Sequence, residues 1–321
     1  MVGKYTIEVS NNRVTFFLEI KRNITIIQGN SGTGKTTLIR LLSDYNRLGP
    51  SSGVSVKCDK ECIALIPTDW KQYIDSSHDK IIFLDENNSF IHSKEFAEAV
   101  SHSDNYYVLI IRDSLPQLSY SIEEIYGMRE NRDSQKYVKA KHVYNEIYKL
   151  YNIEEKKTIS PDIVLTEDTN SGYECFSHIF TNKCQSLGGK TFAATEIIDS
   201  KYNNQEILVI VDGAAFGSNI SEFMRSAKRH GERCVLYAPE SFEYLILSSD
   251  IVPADKVVLE NTYDHADSKL YSSWERFYTG YLISITQNTP LRYSKHKLNH
   301  AYLSDGNLNK IKETLPKMII M

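Results

Sequence analysis

The sequence predicts an α/β protein with two domains, and three observations support this prediction. First, 321 residues are more than one hydrophobic core comfortably holds. Second, a strand-rich opening gives way to alternating strand and helix patterns, which indicates a mainly parallel sheet. Third, a polar, strand-breaking stretch from Glu154 to Pro161 is followed by a new alternation of the same kind. We therefore predict a domain over 1–153 and a smaller α/β domain over 160–321.

The first domain is predicted from apolar runs with the period of strands. The sequence EFAEAVS reads as a helix between the last two runs, and a hairpin is predicted around Asn131 to Ser134. After the third run comes a glycine-rich loop, followed by apolar residues at helical spacing. The strand-like runs are YTIEVS, RVTFFLEI, NITII, CIALIP, KIIFLDE and YYVLIIRD.

The second domain repeats the alternation with the strands IVLT, ILVIV and CVLYA. Helices are predicted through Tyr173–Phe180 and through NISEFMRSAKRH, with Asn219 and Glu222 spaced as a capping box before the second. A later apolar stripe predicts a helix with one buried face. The stripe comprises Trp274, Phe277, Tyr278, Tyr281, Leu282 and Ile285.

Composition limits the class of protein. A net charge of −4 with 24% charged residues provides no global basic field, so any nucleic-acid contact must come from a local patch. The sequence contains neither a membrane-spanning apolar run nor the layout of a signal peptide, which predicts a cytoplasmic protein without membrane contact. The five cysteines suit reduced thiols, and we interpret the neighbours Cys58 and Cys62 as structural because a zinc site would need further ligands.

The stretch IIQGNSGTGKTTL contains the phosphate-binding pattern G-x-x-x-x-G-K-[ST] between a strand and a helix. Glycines let successive backbone N–H groups turn towards phosphate oxygens, and the helix directs its positive end to the same place. Lys35 would contact the β- and γ-phosphates, and Thr36 would offer a hydroxyl ligand to Mg²⁺. We expect ATP to bind at Gly29, Asn30, Ser31, Gly32, Thr33, Gly34, Lys35, Thr36 and Thr37.

A second motif, IIFLDE, ends an apolar strand in two acids. Asp85 is expected to hold Mg²⁺ through water, and Glu86 to act as the general base on the attacking water. Alternatively, the pair simply ends a strand in solvent. Together with the glycine loop, the motif resembles the P-loop ATPases that place a catalytic glutamate beside the second-motif aspartate, a superfamily that includes the ABC and RecA-like ATPases. The interval between the motifs contains no LSGGQ-like signature.

Arg112 follows the strand YYVLII, where related ATPases often carry a polar sensor. The resemblance implies that Arg112 senses the γ-phosphate or acts on a neighbouring subunit. The alternative is a solvated arginine at the end of a strand.

Acids also follow each strand of the second domain. They are Glu167 and Asp168, then Asp212, then Glu240 and Glu243. Consecutive parallel strands bring their carboxyl ends to one edge of a sheet, so these carboxylates are expected to converge there. Such a cluster suits Mg²⁺ or Mn²⁺, which prefer oxygen ligands.

This arrangement resembles a Toprim domain, the metal-binding module of topoisomerases, primases and the OLD-family nucleases, in which a P-loop ATPase precedes Toprim. The resemblance implies that Glu167 and Asp212 are metal ligands. Ala214 stands where the family has a second aspartate, and Glu243, in a segment similar to one found in some relatives, would replace that ligand. The alternative is a Rossmann-like domain with ordinary polar strand ends.

From these motifs we expect an ATP-binding and ATP-hydrolysing protein coupled to a Toprim-like, metal-dependent nuclease domain that acts on DNA or RNA, for example in phage defence. The alternative is an ATP-dependent switch whose degenerate second domain binds a partner protein. The expected cofactors are ATP, Mg²⁺ and a second Mg²⁺ or Mn²⁺ ion. A homo-oligomer is also compatible with the sequence.

Overall fold

The computed structural model describes residues 1–29, 34–64, 68–131, 143–151, 158–188, 202 and 204–320. The chain divides into two compact units. The first comprises Met1–Tyr151 and Asn261–Ser273, and the second comprises Asn152–Glu260 and Trp274–Met321. The sequence-based division assigned residues 261–273 to the second domain, whereas they pack with the first unit.

The described residues of the first unit form a nine-stranded mixed sheet in the order β4-β1-β2-β9-β8-β3-β7-β6-β5. The strands β3, β5, β6 and β7 are mutually parallel where they pair, as the alternation predicted. The strands are β1 (Tyr5–Ser10), β2 (Val14–Ile20), β3 (Ile24–Gln28), β4 (Ser55–Lys57), β5 (Cys62–Ala64), β6 (Ile81–Asp85), β7 (Tyr106–Ile111), β8 (Ile125–Asn131) and β9 (Val143–Lys149).

Helix α1 (Lys35–Leu48) is the central helix of the first unit. Its buried residues Leu38, Leu41 and Leu42 pack in one core with the strands, because apolar residues at spacings of three and four share one face. Helix α2 (Trp70–Ser76) and helix α3 (Lys94–Ser101) follow along the chain. The predicted hairpin is confirmed by the antiparallel pairing of β8 with β9, although its connection lies outside the described residues.

The segment 261–273 contacts the first unit through backbone and side-chain hydrogen bonds. The N–H of Gly3 donates to the carbonyl of Tyr263 (2.6 Å), and the N–H of Ser268 donates to the carbonyl of Met1 (3.0 Å). The side-chain amide of Asn23 donates to the carbonyl of Ser272 (2.5 Å). These contacts explain why the segment belongs to this unit.

The second unit contains a four-stranded parallel sheet in the order β11-β10-β12-β13. Its strands are β10 (Ile163–Thr166), β11 (Cys184–Ser186), β12 (Ile207–Ile210) and β13 (Cys234–Tyr237). Its helices are α4 (Ser171–Ile179), α5 (Ile220–His230), α6 (Phe242–Ser248), α7 (Lys256–Glu260), α8 (Trp274–Thr286) and α9 (Asp305–Thr314). The predicted apolar stripe is confirmed in α8, where Trp274, Phe277, Tyr278 and Leu282 are buried.

The predicted capping box before α5 is wrong. Asn219, in the described part of the chain, has near-helical backbone angles (φ −105°, ψ −12°), and its side chain makes no capping hydrogen bond. Its amide instead donates to the hydroxyl of Ser218 (3.3 Å). An N-cap needs an extended backbone to turn its oxygen towards the helix, which these angles do not provide. Glu222 therefore stays in the first turn without a capping partner in Asn219.

A buried ion pair in the first unit leads to a stability prediction. Arg22 and Glu124 are 4% and 0% exposed, with Nε and Oε1 3.4 Å apart. We expect Arg22→Met to lower the free energy of unfolding by about 3–5 kcal/mol, because Glu124 would keep its buried charge without this cation. Chemical denaturation measures the change.

The control for this prediction is Lys57→Met, which removes an exposed pair with Glu8 and should cost at most about 1 kcal/mol. The double variant Arg22→Met with Glu124→Leu should recover much of the loss, because no unpaired charge remains in the interior. Equal effects of Arg22→Met and Lys57→Met would show that burial of the first pair does not matter for stability.

Candidate functional site

In the first unit, three segments leave the sheet at the same level. The strand β7 lies between β3 and β6, and its register places Gln28 beside Ile111 and Asp85 beside Ile110. The N–H of Glu86 continues the ladder by donating to the carbonyl of Ile110 (3.1 Å). The glycine loop after β3, the acids after β6 and Arg112 after β7 therefore start at one edge of the sheet, which we call the first rim.

Both described ends of the glycine loop have backbone conformations that favour glycine. Gly29 has φ 146° and Gly34 has φ 93°, values that L side chains rarely adopt. Of the predicted nucleotide-binding residues, Asn30, Ser31, Gly32 and Thr33 lie outside the described residues. The loop thus starts and ends in the geometry that a tight phosphate-binding turn requires.

Lys35 begins α1 and points back to the loop. Its Nζ atom donates to the carbonyl of Gly29 (2.5 Å), and the residue is 9% exposed. In the same first turn Thr36 is exposed and Thr37 is half-buried. Burial, followed by the positive charge of Arg112, lowers the pKa of Lys35, while the carboxylate of Glu86 opposes this shift. The charges of Lys35, Glu86 and Arg112 therefore interact at the first rim.

The two acids after β6 have different partners. The carboxylate of Asp85 accepts hydrogen bonds from the side-chain amides of Asn87 (2.7 Å) and Asn88 (2.9 Å). Glu86 forms an ion pair with Arg112, with Oε1 and Nε 2.8 Å apart. The pattern D-E-N-N contains the signal for the two asparagines, since short amides hydrogen-bond to nearby groups in turns, but the sequence analysis missed it.

A residue at the end of β3 helps to position the ion pair between Glu86 and Arg112. Gln28, at the end of β3, donates from its side-chain amide to the carbonyl of Arg112 (2.7 Å). Both charged side chains are partly exposed, at 36% for Glu86 and 58% for Arg112. Arg112 is therefore partly solvated and also forms an ion pair with Glu86, the predicted general base.

The donor set at the first rim fits a magnesium-bound nucleotide. The start of a 14-residue helix offers N–H groups and the positive end of the helix dipole to phosphate oxygens. The hydroxyl of the exposed Thr36 and the carboxylate of Asp85 are the hard oxygen ligands that Mg²⁺ prefers. Lys35 adds a cation beside the loop.

In the second unit, the predicted convergence of strand ends is observed. The register places Thr166, Ile210 and Tyr237 side by side at the carboxyl ends of β10, β12 and β13. Glu167 directly follows this row, and its N–H donates to the carbonyl of Ile210 (3.0 Å). Asp212 follows β12 by two residues. We call this edge the second rim.

The predicted acids interact electrostatically at the second rim. Burial, followed by the charge of Glu275, raises the pKa of Glu167 to about 7. Burial and the charges of Glu275, Glu243 and Glu167, in that order, raise the pKa of Asp212, and Lys295 opposes this shift. The structure therefore brings together Glu167, Asp212 and Glu243, the three acids that the sequence predicted.

Glu275 and Lys295 join this acidic cluster although the sequence analysis missed them. They form an ion pair with each other. Glu275 belongs to α8, where it is an acid within a stripe of apolar residues, and that position was the available signal. Burial is the largest single influence on the pKa of Lys295 and lowers it. The negative charges of Glu275 and Glu243 act in the opposite direction, and the pKa of Lys295 is raised overall.

Glu243 lies in the first turn of α6 and is 2% exposed. Its Oε1 atom accepts a hydrogen bond from the hydroxyl of Tyr293 (2.9 Å). The hydroxyl of Ser171 donates to the carbonyls of Ser294 (2.8 Å) and Lys295 (3.1 Å). The segment that carries Lys295 is thus fixed to the start of α4 and to a buried carboxylate.

Two acids near the second rim, Asp168 and Asp212, accept hydrogen bonds from backbone N–H groups. Asp168 accepts hydrogen bonds from the N–H groups of Asn170 (2.8 Å) and Gly172 (2.7 Å) at the start of α4. Asp212 itself accepts from the N–H of Phe242 (3.1 Å), which connects β12 to α6. Ala214, where the Toprim resemblance would place a second aspartate, is 3% exposed, so a carboxylate there would be buried.

The described side chains at the second rim do not form a ready-made site for a divalent metal. Among the described residues, no group of three or more His, Cys, Asp or Glu side chains is arranged to hold a metal ion. The charges of neighbouring carboxylates contribute to the raised pKa values of Glu167 and Asp212 after burial, but the carboxylates do not form a shared coordination set. We therefore derive no catalytic step through a metal in the second unit.

Comparison of the chain with family models, with curated proteins and with solved structures gives no match. In the described part of the chain, no helix combines the length and apolar character that a membrane span requires. The α/β fold and the geometry of the two rims are therefore the basis for assigning a function.

Proposed function

We propose that this chain binds magnesium–ATP at the first rim and hydrolyses it. The observation that carries the proposal is the register of β3, β7 and β6, which starts the glycine loop, Arg112 and the acids Asp85 and Glu86 at one edge of the sheet. Phosphoryl transfer depends mainly on positioning and charge, and this edge supplies both kinds of group.

Each residue at the first rim has a distinct role in the proposal. The loop N–H groups and Lys35 bind the phosphates, and Thr36 and Asp85 hold Mg²⁺, which neutralises charge on the phosphates when bound. Glu86 accepts the proton of the attacking water. Because Glu86 pairs with Arg112 at 2.8 Å, its carboxylate must leave that ion pair, or share it, to reach the water.

The test is phosphate release from ATP by the purified chain in Mg²⁺ and in excess EDTA. We expect turnover in Mg²⁺ only. Absence of both ATP binding and Mg²⁺-dependent turnover would contradict the proposal, whereas binding without turnover would restrict it to an ATP-dependent switch.

A second candidate function concerns the second unit, and the acidic cluster favours it. Although Glu167, Asp212 and Glu243 do not form a shared coordination set in the present arrangement, we propose that their side chains rearrange to bind Mg²⁺ or Mn²⁺ in a Toprim-like site that acts on nucleic-acid phosphodiesters. Burial first, and then the negative charges of neighbouring carboxylates, raise the pKa of Asp212, and a bound cation would oppose both effects. Metal binding would require these side chains to move from their present positions.

For this site we expect Mn²⁺-dependent cleavage of DNA or RNA by the wild type, reduced at least about tenfold in Glu167→Gln and in Asp212→Asn. These isosteric changes remove a group that can ionise and bind a cation, and they leave the size of the side chain. ATP hydrolysis should persist in both variants, because the first rim is unchanged. Cleavage is followed on labelled single- and double-stranded substrates.

The matched control is Glu313→Gln, which neutralises an exposed acid on α9. It should cleave like the wild type. Lack of cleavage on every substrate, with ATP hydrolysis intact, would favour the alternative in which the second unit binds a partner protein and the first acts as a switch.

A further inference from the structure

Two cysteines of the first unit lie in and next to the short connection between the two edge strands of its sheet. The strand β4 is one edge and β5 is the other, and only Cys58–Glu61 separate them along the chain. Cys58 follows the last residue of β4, and Cys62 is the first residue of β5. This connection therefore joins opposite edges of one sheet, and α1 packs against both β4 and β5.

Both sulfur atoms form hydrogen bonds with the backbone of the same residue, Lys60. The N–H of Lys60 donates to Sγ of Cys58 (3.5 Å), and the thiol of Cys62 donates to the carbonyl of Lys60 (3.7 Å). Cys58 and Cys62 are also within hydrogen-bond contact of each other through their side chains. A disulfide requires the sulfur atoms to approach to about 2.05 Å, and the shared contact with the backbone of Lys60 places both thiols beside one residue.

The two thiols differ in exposure and in acidity. Cys58 is half-buried, whereas Cys62 is 4% exposed. The hydrogen bond from Cys62 lowers the pKa of Cys58 to about 7, and N–H groups of Lys60 and Asp59 contribute in the same direction, against burial and the charge of Asp59. The same hydrogen bond and burial raise the pKa of Cys62. Cys58 is therefore the nucleophile of the pair and Cys62 the resolving thiol.

We propose that Cys58 and Cys62 form a reversible disulfide in response to hydroperoxides. The thiolate of Cys58 attacks the O–O bond of the hydroperoxide, becomes a sulfenic acid and releases hydroxide or alkoxide. The sulfur of Cys62 then displaces the hydroxyl from Cys58, and the Cys62 proton leaves with it as water. Two sulfur atoms lose one electron each, and the hydroperoxide gains both.

The disulfide would restrain the short connection between β4 and β5, the two edge strands that contact α1. The side-chain amide of Asn46, on α1, already donates to the carbonyl of Cys62 (2.8 Å) and accepts from the N–H of Ala64 (2.8 Å). Oxidation thus acts on a segment that is tied to the helix beginning at Lys35. The proposal does not depend on ATP hydrolysis.

The remaining cysteines provide an internal comparison. Burial raises the pKa of Cys175 to about 12, of Cys184 to about 11 and of Cys234 to about 12. They should stay reduced when Cys58 reacts, because the thiolate is the reactive form. Three of the five thiols are therefore expected to remain after mild oxidation.

The experiment treats the full-length chain with hydrogen peroxide, blocks free thiols and maps the peptides without reduction. We expect two thiols to disappear, a Cys58–Cys62 linkage with the mass of two hydrogen atoms lost, and full recovery on reduction. Cys62→Ser should form no intramolecular disulfide and should accumulate a sulfenic acid on Cys58 that a dimedone probe captures. Cys234→Ser should behave as the wild type.

Initial rates give a second measurement that does not depend on the disulfide. In Cys62→Ala the hydrogen bond to Cys58 is lost, so the thiolate fraction of Cys58 at neutral pH drops. The higher nucleophilicity of the remaining thiolate offsets part of this loss, and the rate of Cys58 alkylation should fall about threefold. Five free thiols in peroxide-treated wild type, or a linkage between Cys175 and Cys184 instead, would overturn the proposal. An unchanged alkylation rate in Cys62→Ala would overturn the assignment of Cys58 as the activated thiol.

Discussion

Replacing Lys35 with alanine should weaken ATP binding by at least about a hundredfold, which corresponds to about 2.8 kcal/mol. Lys35 lies beside the glycine loop, with Nζ 2.5 Å from the carbonyl of Gly29. Loss of a partly buried cation that pairs with phosphate typically costs 2–5 kcal/mol. The loop N–H groups would remain, so the loss reports the lysine charge. Isothermal titration calorimetry measures the affinity.

Lys57→Ala is the matched control for Lys35→Ala. Lys57 belongs to the same unit, but its side chain is 69% exposed and pairs with Glu8 at the surface. It should bind ATP like the wild type. Unchanged affinity in Lys35→Ala, in a protein that melts at the wild-type temperature, would show that the loop does not bind phosphates in the proposed way.

Replacing Glu86 with glutamine should leave ATP binding intact and slow hydrolysis by at least about a hundredfold. The amide has the size of the carboxylate and its oxygen still accepts a hydrogen bond from Arg112, so the rim should keep its geometry. An amide oxygen cannot take the proton of the attacking water at neutral pH. Steady-state phosphate release and nucleotide titration together separate the two effects.

The control for Glu86→Gln is Glu95→Gln, an exposed acid in the first turn of α3. Its turnover should equal that of the wild type. Wild-type hydrolysis in Glu86→Gln would remove Glu86 as the base and would leave the ion pair with Arg112 as its structural role.

Features with a local cause could be predicted from the sequence. Apolar runs predicted the parallel strand that ends at Asp85 and the one that Glu167 directly follows, because strand period and burial are properties of a few neighbouring residues. The convergence of Glu167 and Asp212 also followed, since parallel strands end at one edge. The motif around Lys35 needed only its own residues and the flanking strand and helix.

Features that depend on distant contacts could not be predicted. Glu275 reads as part of a buried helix, and its place beside Asp212 depends on how α8 packs in the second unit. The pairing of Arg112 with Glu86 depends on β7 lying beside β6. The capping box at Asn219 failed for the opposite reason, because a matching spacing does not determine the backbone angles of the cap.

The return of residues 261–273 to the first unit affects the order in which the chain folds during synthesis. The amino-terminal 151 residues leave the ribosome first, yet the segment that contacts Gly3 and Asn23 follows about 120 residues later. At a synthesis rate of about 5–20 residues per second, the segment 261–273 is synthesised roughly 6 to 24 seconds after residue 151. During that interval residues 152–260 of the second unit emerge, so the first unit is completed only after much of the second unit has been synthesised.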